Sequence, residues 1–118
     1  QIETPEAAAN IDEILTTEGV DAIYIGPSDL ASFMGFPAQL GHPDVVEAVD
    51  RLMKKARSHS MPFGLPTWTH EECIGYARQG AQLLTIGSDL QYLANGARGS
   101  LSGARRLLRE ALTPPERG

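Results

Sequence analysis

The chain has 118 residues, enough for one domain at most, and its 42 % apolar and 21 % charged residues are ordinary for a globular protein and unlike a disordered one. A formal charge of −5 with no basic stripe argues against a nucleic-acid surface, since Lys54 and Lys55 are an isolated pair on one helix face. No apolar run approaches the ~18 residues of a membrane span and no segment resembles a signal peptide, so small molecules and other protein chains are the expected partners.

Gln1-Ile2-Glu3 read as the last positions of a strand, and with no initiator methionine the chain is expected to be a fragment. Thr4, Pro5 and Glu6 then spell a helix start: a hydroxyl at the N-cap, proline at the first helical position and an acid in the first turn. Ala8, Ile11, Ile14 and Leu15 mark one face of that helix to about Thr16, and Gly19 ends the unit. Val20 to Ile25 is a β-branched and aromatic run, too short for a helix and apolar enough for an interior parallel strand. Gly26-Pro27 cuts it, Ser28 and Asp29 follow at its carboxyl end, and Leu30 to Met34 is expected to make one short helical turn. The loop from Gly35 to His42 carries Phe36 and Leu40 and is too apolar for a solvated connector.

Pro43 opens the longest expected helix, with Val45, Val46, Val49, Leu52, Met53 and Ala56 as its apolar stripe. Met61 to Leu65 is a short strand with Pro66-Thr67-Trp68 as its exit loop, and Thr69 with Glu72 forms a capping box for a helix that stops at Gly80. Gln82 to Ile86 is the last strand. Gly87-Ser88-Asp89 leads into a helix from Leu90 to Ala97, and Ser100 starts a separate amphipathic helix through Leu112. Residues 1–112 are thus the folded part, and Thr113 to Gly118 form a flexible tail too rich in proline and charge to pack.

Strands alternating with helices predict an α/β fold with parallel strands and helical crossovers. An internal echo, Ser28-Asp29-Leu30 against Ser88-Asp89-Leu90, each just after a strand and a glycine, fits repeated βα units. Four such units, the first strand truncated, make the C-terminal half of a (β/α)8 TIM barrel, which needs about 250 residues to close.

In such a sheet Glu3 and Asp29 lie at the same rim on neighbouring strands, about 5 Å apart at the backbone. Two carboxylates that close repel unless a proton or a cation lies between them, and oxygen ligands completed by water suit Mg²⁺ or Mn²⁺. The competing reading is that both acids merely cap the helices that follow them. Among other reactive side chains, His42 precedes Pro43 and suits loop packing, His59 lies near a helix end, and His70 falls in a first turn. Ser28 has no histidine base placed beside it by any motif. Cys73 cannot form an internal disulfide and has no metal-ligand spacing around it, which fits a reducing, cytoplasmic compartment.

Gln1-Ile2-Glu3-Thr4, the run Gly19 to Ala31 with its Gly-Pro-Ser-Asp-Leu segment, Gly41-His42-Pro43-Asp44-Val45 and Ile86-Gly87-Ser88-Asp89 closely resemble the C-terminal half of the HpcH/HpaI aldolase family. The resemblance implies a (β/α)8 barrel and a metal-dependent, class II, carbon-carbon lyase that cleaves 2-keto-4-hydroxy acids reversibly to pyruvate and an aldehyde. It puts the family's metal-binding glutamate on Glu3 and its aspartate on Asp29, with Mg²⁺ or Mn²⁺ as the cofactor and Co²⁺ as a further candidate. Backbone amides at Ser28 and Asp29 would hold the substrate carboxylate. Pro66 takes a position that is usually apolar and aliphatic on the aldehyde side, and Trp68 is a candidate wall of the aldehyde pocket. The family's general-base histidine and its arginine lie upstream and have no counterpart here, so the fragment is expected to contain no catalytic residue and to be inactive alone. The resemblance also implies a homo-oligomer, a hexamer with exchanged terminal helices. Two alternatives are a citramalyl-CoA or malyl-CoA lyase-like enzyme, against which the lack of a basic patch weighs, and a non-catalytic α/β binding domain.

Overall fold

A computed structural model describes residues 1–112 of the chain, so the tail from Thr113 to Gly118 lies outside the described residues. The chain divides into two compact units, Gln1–Ile86 and Gly87 onwards. The first is built on a three-stranded sheet, β1 (Ile23–Tyr24), β2 (Phe63–Thr67) and β3 (Leu83–Ile86), in the order β1-β2-β3 with both pairings parallel. Ile2 adds a further parallel bridge to Ile25, so the expected strand end at the start of the chain does pair with β1. Every crossover carries a helix. The α/β fold with parallel strands is therefore as the alternation of elements predicts.

Two prolines set the length of the β1–β2 ladder. Ile23 N donates to Pro62 O and Ile25 N to Gly64 O, so Pro62, Gly64 and, by alternation, Pro66 turn their backbone groups toward β1. Pro62 has no N–H to extend the ladder backwards and Pro66 none to extend it forwards. That is why β1 is shorter than the apolar run from Val20 to Ile25 suggests. On the other side of β2, Leu65 and Thr67 pair with Leu84 and Ile86, so the strand continues through Pro66. The expected exit loop at Pro66-Thr67 is thus corrected: both residues belong to β2, because the missing donor faces the end of β1 and costs the β3 ladder nothing.

The helices follow their caps. Thr4 Oγ1 accepts from Ala7 N at 3.1 Å above α1 (Pro5–Ala9), and after a bend at Asn10 the chain continues as α2 (Ile11–Thr16). Asn10 N donates to Glu6 O and Ile14 N to Asn10 O, so hydrogen bonding runs across the bend. α3 (Pro27–Phe33) starts directly after Gly26, earlier than the expected turn at Leu30, and takes Ser28 and Asp29 into its first turn. α4 (Pro43–Ser58) is capped by His42, whose Nδ1 accepts from Asp44 N at 3.3 Å while its ring stacks on Phe36 with 3.6 Å between centroids. The buried stripe of α4 is Val45, Ala48, Val49, Leu52, Met53 and Ala56; Ala48 replaces the expected Val46, which falls off the i, i+3, i+4 face and is exposed.

All of these but Val45 pack with Ile2, Ile23, Ile25, Phe63 and Leu65 from one face of the sheet and with Ala8, Ile11 and Leu15 from α1 and α2. α5 (His70–Arg78) carries the expected capping box, with Glu72 N on Thr69 Oγ1 at 3.1 Å and Thr69 N on Glu72 Oε2 at 3.2 Å. The second unit holds α6 (Asp89–Leu112), one helix where two were expected. Its glycines cost helix stability, but helical φ and ψ are open to glycine and no proline interrupts the run before residue 112. Among the described residues no helix is long and apolar enough to cross a membrane.

Candidate active site

Register places four residues in one row. Ile2 pairs with Ile25, Tyr24 with Gly64, and Pro66 with Thr85, so one step along the strands puts Glu3 beside Gly26, then Pro66, then Thr85. Side chains alternate along a strand, and Ile2, Ile25 and Leu65 are buried against the helices, so the row belongs to the opposite face of the sheet. Glu3 crosses Gly26 closely: its Cβ is 3.0 Å and its Oε2 3.4 Å from where a Cβ on Gly26 would stand. A Cβ on Gly26 would press on the Glu3 side chain, and Gly26 N is itself tied to Ile2 O at 2.8 Å. Glu3 thus lies beside Gly26 at the carboxyl end of β1, next to the residue from which α3 departs.

α3 brings in the rest of the polar group. Its first turn carries Ser28 and Asp29, both exposed, and Ser32 Oγ donates to Ser28 O at 2.9 Å. The first amides of a helix have no intrahelical acceptor, so the N–H groups of Ser28 and Asp29 point out of the helix end. On the same face of the sheet as Glu3, the Tyr24 hydroxyl reaches past side-chain-free Gly64 to Thr85 Oγ1 at 2.7 Å. Neither Tyr24 nor Thr85 was singled out from sequence. Alternation counted back from buried Ile25 would have put Tyr24 on this face, but nothing local to Thr85 marks it.

A cavity of about 290 Å³ brings together three other expected site residues, Ser28, Pro66 and Trp68, with walls from α4 and α5. Glu3 and Asp29 are not among its lining residues. The expected aldehyde-side residues and the expected carboxylate pair therefore border different spaces.

Two carboxylates and surrounding water are a donor set suited to a hard divalent cation. Among the described residues no group of three or more His, Cys, Asp or Glu is placed to hold a metal ion. The histidines take other parts. His42 caps α4, His59 Nδ1 lies 3.0 Å from Lys55 O, and His70 opens α5. The Ser-Asp-Leu echo is not a structural equivalence either: Ser28 lies inside α3, whereas Ser88 precedes α6 and accepts from Gln91 N at 3.2 Å.

Among the described residues, two groups titrate away from their ordinary values. Lys55, hydrogen-bonded to both Asp12 oxygens at 2.9 and 2.8 Å, holds that carboxyl low against a smaller opposing effect of desolvation. Burial pushes the Tyr76 phenol up, and the nearby charges of Glu72 and Asp50 add to it.

The sequence profile of the HpcH/HpaI aldolase/citrate lyase family matches residues 1–96. A 5-keto-4-deoxy-D-glucarate aldolase of Escherichia coli O139:H28 (strain E24377A / ETEC) is 39 % identical over 90 residues, which cover 76 % of this chain and 35 % of that protein. Among solved structures, an HpcH/HpaI aldolase/citrate lyase family protein from Burkholderia cenocepacia J2315 superposes with a TM-score of 0.83 at 28 % identity, over 89 % of this chain and 41 % of that one. An HpcH/HpaI aldolase from Desulfitobacterium hafniense DCB-2 matches with a TM-score of 0.74 at 28 % identity, over 100 % of this chain and 44 % of its own. The chain thus spans about a third of the curated relative's length and under half of each solved structure. Its sequence profile and its parallel α/β architecture agree, and the chain belongs to the HpcH/HpaI aldolase/citrate lyase family.

Proposed function

We propose that these residues form the metal-binding half of the site of a class II pyruvate aldolase, which cleaves a 2-keto-4-hydroxy acid reversibly to pyruvate and an aldehyde. In this reading the parallel strands are the C-terminal half of a (β/α)8 barrel. The observation that carries it is the Glu3 carboxylate lying across Gly26, at the head of the helix whose first turn holds Asp29.

Glu3 and Asp29 would hold a divalent cation, Mg²⁺ or Mn²⁺ by the hardness of their oxygens, with Co²⁺ as a further candidate. Such a cation supplies Lewis acidity toward the carbonyl of a bound 2-keto acid. The chain's own part is binding and orientation. The free amides of Ser28 and Asp29 offer donors to the substrate carboxylate, and the macrodipole of α3 favours negative charge there. Pro66, in the row with Glu3, presents a rigid apolar surface to the aldehyde side, and Trp68 borders the same residue.

The histidine base and the arginine that the family resemblance calls for have no counterpart among these residues, and the chain spans 35 % of the curated relative. Proton transfer would therefore need residues beyond these 118, and the chain alone would bind without turning over. By the same resemblance the working enzyme is a homo-oligomer, and the single cysteine suits a reducing, cytoplasmic compartment.

Titration of Mn²⁺ into the chain, followed by the electron paramagnetic resonance of the free ion, tests the assignment. Mn²⁺ uptake that falls in Glu3→Gln and in Asp29→Asn, and rises with added pyruvate, is the expected result. Uptake indifferent to both substitutions would leave the two acids as helix caps and overturn it.

A further inference from the structure

The cavity of about 290 Å³ beside the proposed substrate site has an apolar and acidic lining. Leu40, Val46 and Val49 give it aliphatic walls, Trp68 and Tyr76 give it aromatic ones, and Asp50 and Glu72 give it two carboxylates. No lysine, arginine or histidine lines it. Its lining omits Glu3 and Asp29 but includes Ser28 and Pro66 beside Trp68, so it adjoins the proposed substrate site without reaching the two proposed metal ligands.

Neither carboxylate has a cationic partner among the described residues. Glu72 Oε2 is pinned by the amides of Trp68 at 2.7 Å and Thr69 at 3.2 Å, which orients the carboxylate against the cavity and uses only one of its oxygens. Asp50 is half-buried and makes neither an ion pair nor a hydrogen bond among the described residues. Arg51 and Lys54 stand along the adjoining surface groove that Asp50 also borders, and neither pairs with it. Burial pushes the Tyr76 phenol up, and the charges of Glu72 and Asp50, which share the lining with it, add to the effect.

Carboxylates beside aromatic faces and aliphatic walls are the complement of one ligand class. An ammonium or guanidinium gains Coulomb attraction from the carboxylates and cation–π attraction from Trp68 or Tyr76, while a short apolar stem fills the aliphatic side. We propose that the cavity between α4 and α5 is a binding site for a small organic cation, an ammonium or guanidinium group on a short apolar stem. Ser28, Pro66 and Trp68 are shared with the proposed substrate site, so this subsite rests on that reading and lies beside the keto acid, whose carboxylate the two acids disfavour within the cavity itself.

Trp68 is the chain's single tryptophan, and its fluorescence reports the cavity directly. Titration with n-butylammonium should give a saturable change that weakens as salt is raised, whereas butan-1-ol at equal concentration should give none. Asp50→Asn with Glu72→Gln should weaken butylammonium binding by about tenfold, because hydrogen bonds to charged groups exceed neutral ones by a kcal/mol or so. Glutamine at the third helical position preserves the capping box, so circular dichroism should show α5 intact. A lysine or arginine of a second copy carries the same chemistry, and sedimentation at rising chain concentration separates the sources. Butylammonium binding by a monomer points to a free amine, and self-association that butylammonium reverses points to the side chain. An absent response, an equal response to butan-1-ol, or unchanged binding by the folded double variant would each overturn the proposal.

Discussion

The Tyr24 hydroxyl, from β1, lies 2.7 Å from Thr85 Oγ1, on β3, across the whole width of β2. Residues two strands apart meet because the strand between them offers Gly64, with no side chain, at the crossing point. The bond links the two outer strands on the face that also carries Glu3, where the apolar core gives no support.

Removing either hydroxyl should cost about 0.5–1.5 kcal/mol, the net worth of one such hydrogen bond. A double-mutant cycle with Tyr24→Phe and Thr85→Val, read by urea denaturation, should show most of that as coupling between the two sites. Simple additivity would mean that the hydroxyls prefer water to each other.

Gly64 is a stricter requirement. A Cβ there would run into the Leu83 carbonyl of the neighbouring strand, a backbone atom that cannot move aside as a flexible side chain could. Gly64→Ala should therefore destabilise the sheet by about 1–3 kcal/mol or force β3 away from β2, as overpacking does elsewhere. A lowered urea midpoint with loss of amide protection in Leu83 to Ile86 is the expected signature.

Pro66 ends the β1–β2 ladder by lacking a donor where the Ile25 carbonyl faces it. Pro66→Leu restores the N–H on the side that turns toward β1, and the ladder should lengthen by one bond. Hydrogen exchange measured by ¹H–¹⁵N correlation should find the new amide at residue 66 protected to the same degree as that of Ile25. Rapid exchange there would show that the strands diverge before residue 66 for another reason.

Asp12 and Lys55 tie α2 to α4, and the tie makes stability depend on pH in one direction. The Asp12 pKa is lower folded than unfolded, so the folded chain holds the carboxylate more strongly. The stabilisation is complete above the unfolded value near 4 and is lost as pH falls through the lower folded value. The difference in urea midpoint between the wild type and Asp12→Asn should accordingly be constant near neutrality and shrink in acid. A difference that grew in acid would reverse the sign of the argument.

Much of the architecture was legible without coordinates because its signals are local. Thr4-Pro5, Thr69 with Glu72, and the apolar spacing of α4 each act within a few residues, and the cap hydrogen bonds form as their chemistry dictates. The family was legible for the same reason: Gly26-Pro27-Ser28-Asp29-Leu30 is a contiguous segment, read without knowing what it touches.

What needed the tertiary structure was every relation between strands. Pro66 looked like a loop residue because proline usually ends a ladder; only pairing shows that its missing N–H faces the short side of β2 while the other side carries on. Glu3 meets Gly26, Tyr24 meets Thr85, and Trp68 meets Asp50 around one cavity through parallel register and helix placement. Local sequence chose the elements, because capping and periodicity work over a turn or two of chain. Which side chains share a row or a cavity was decided by hydrogen-bonded register and core packing, which act between segments far apart in sequence.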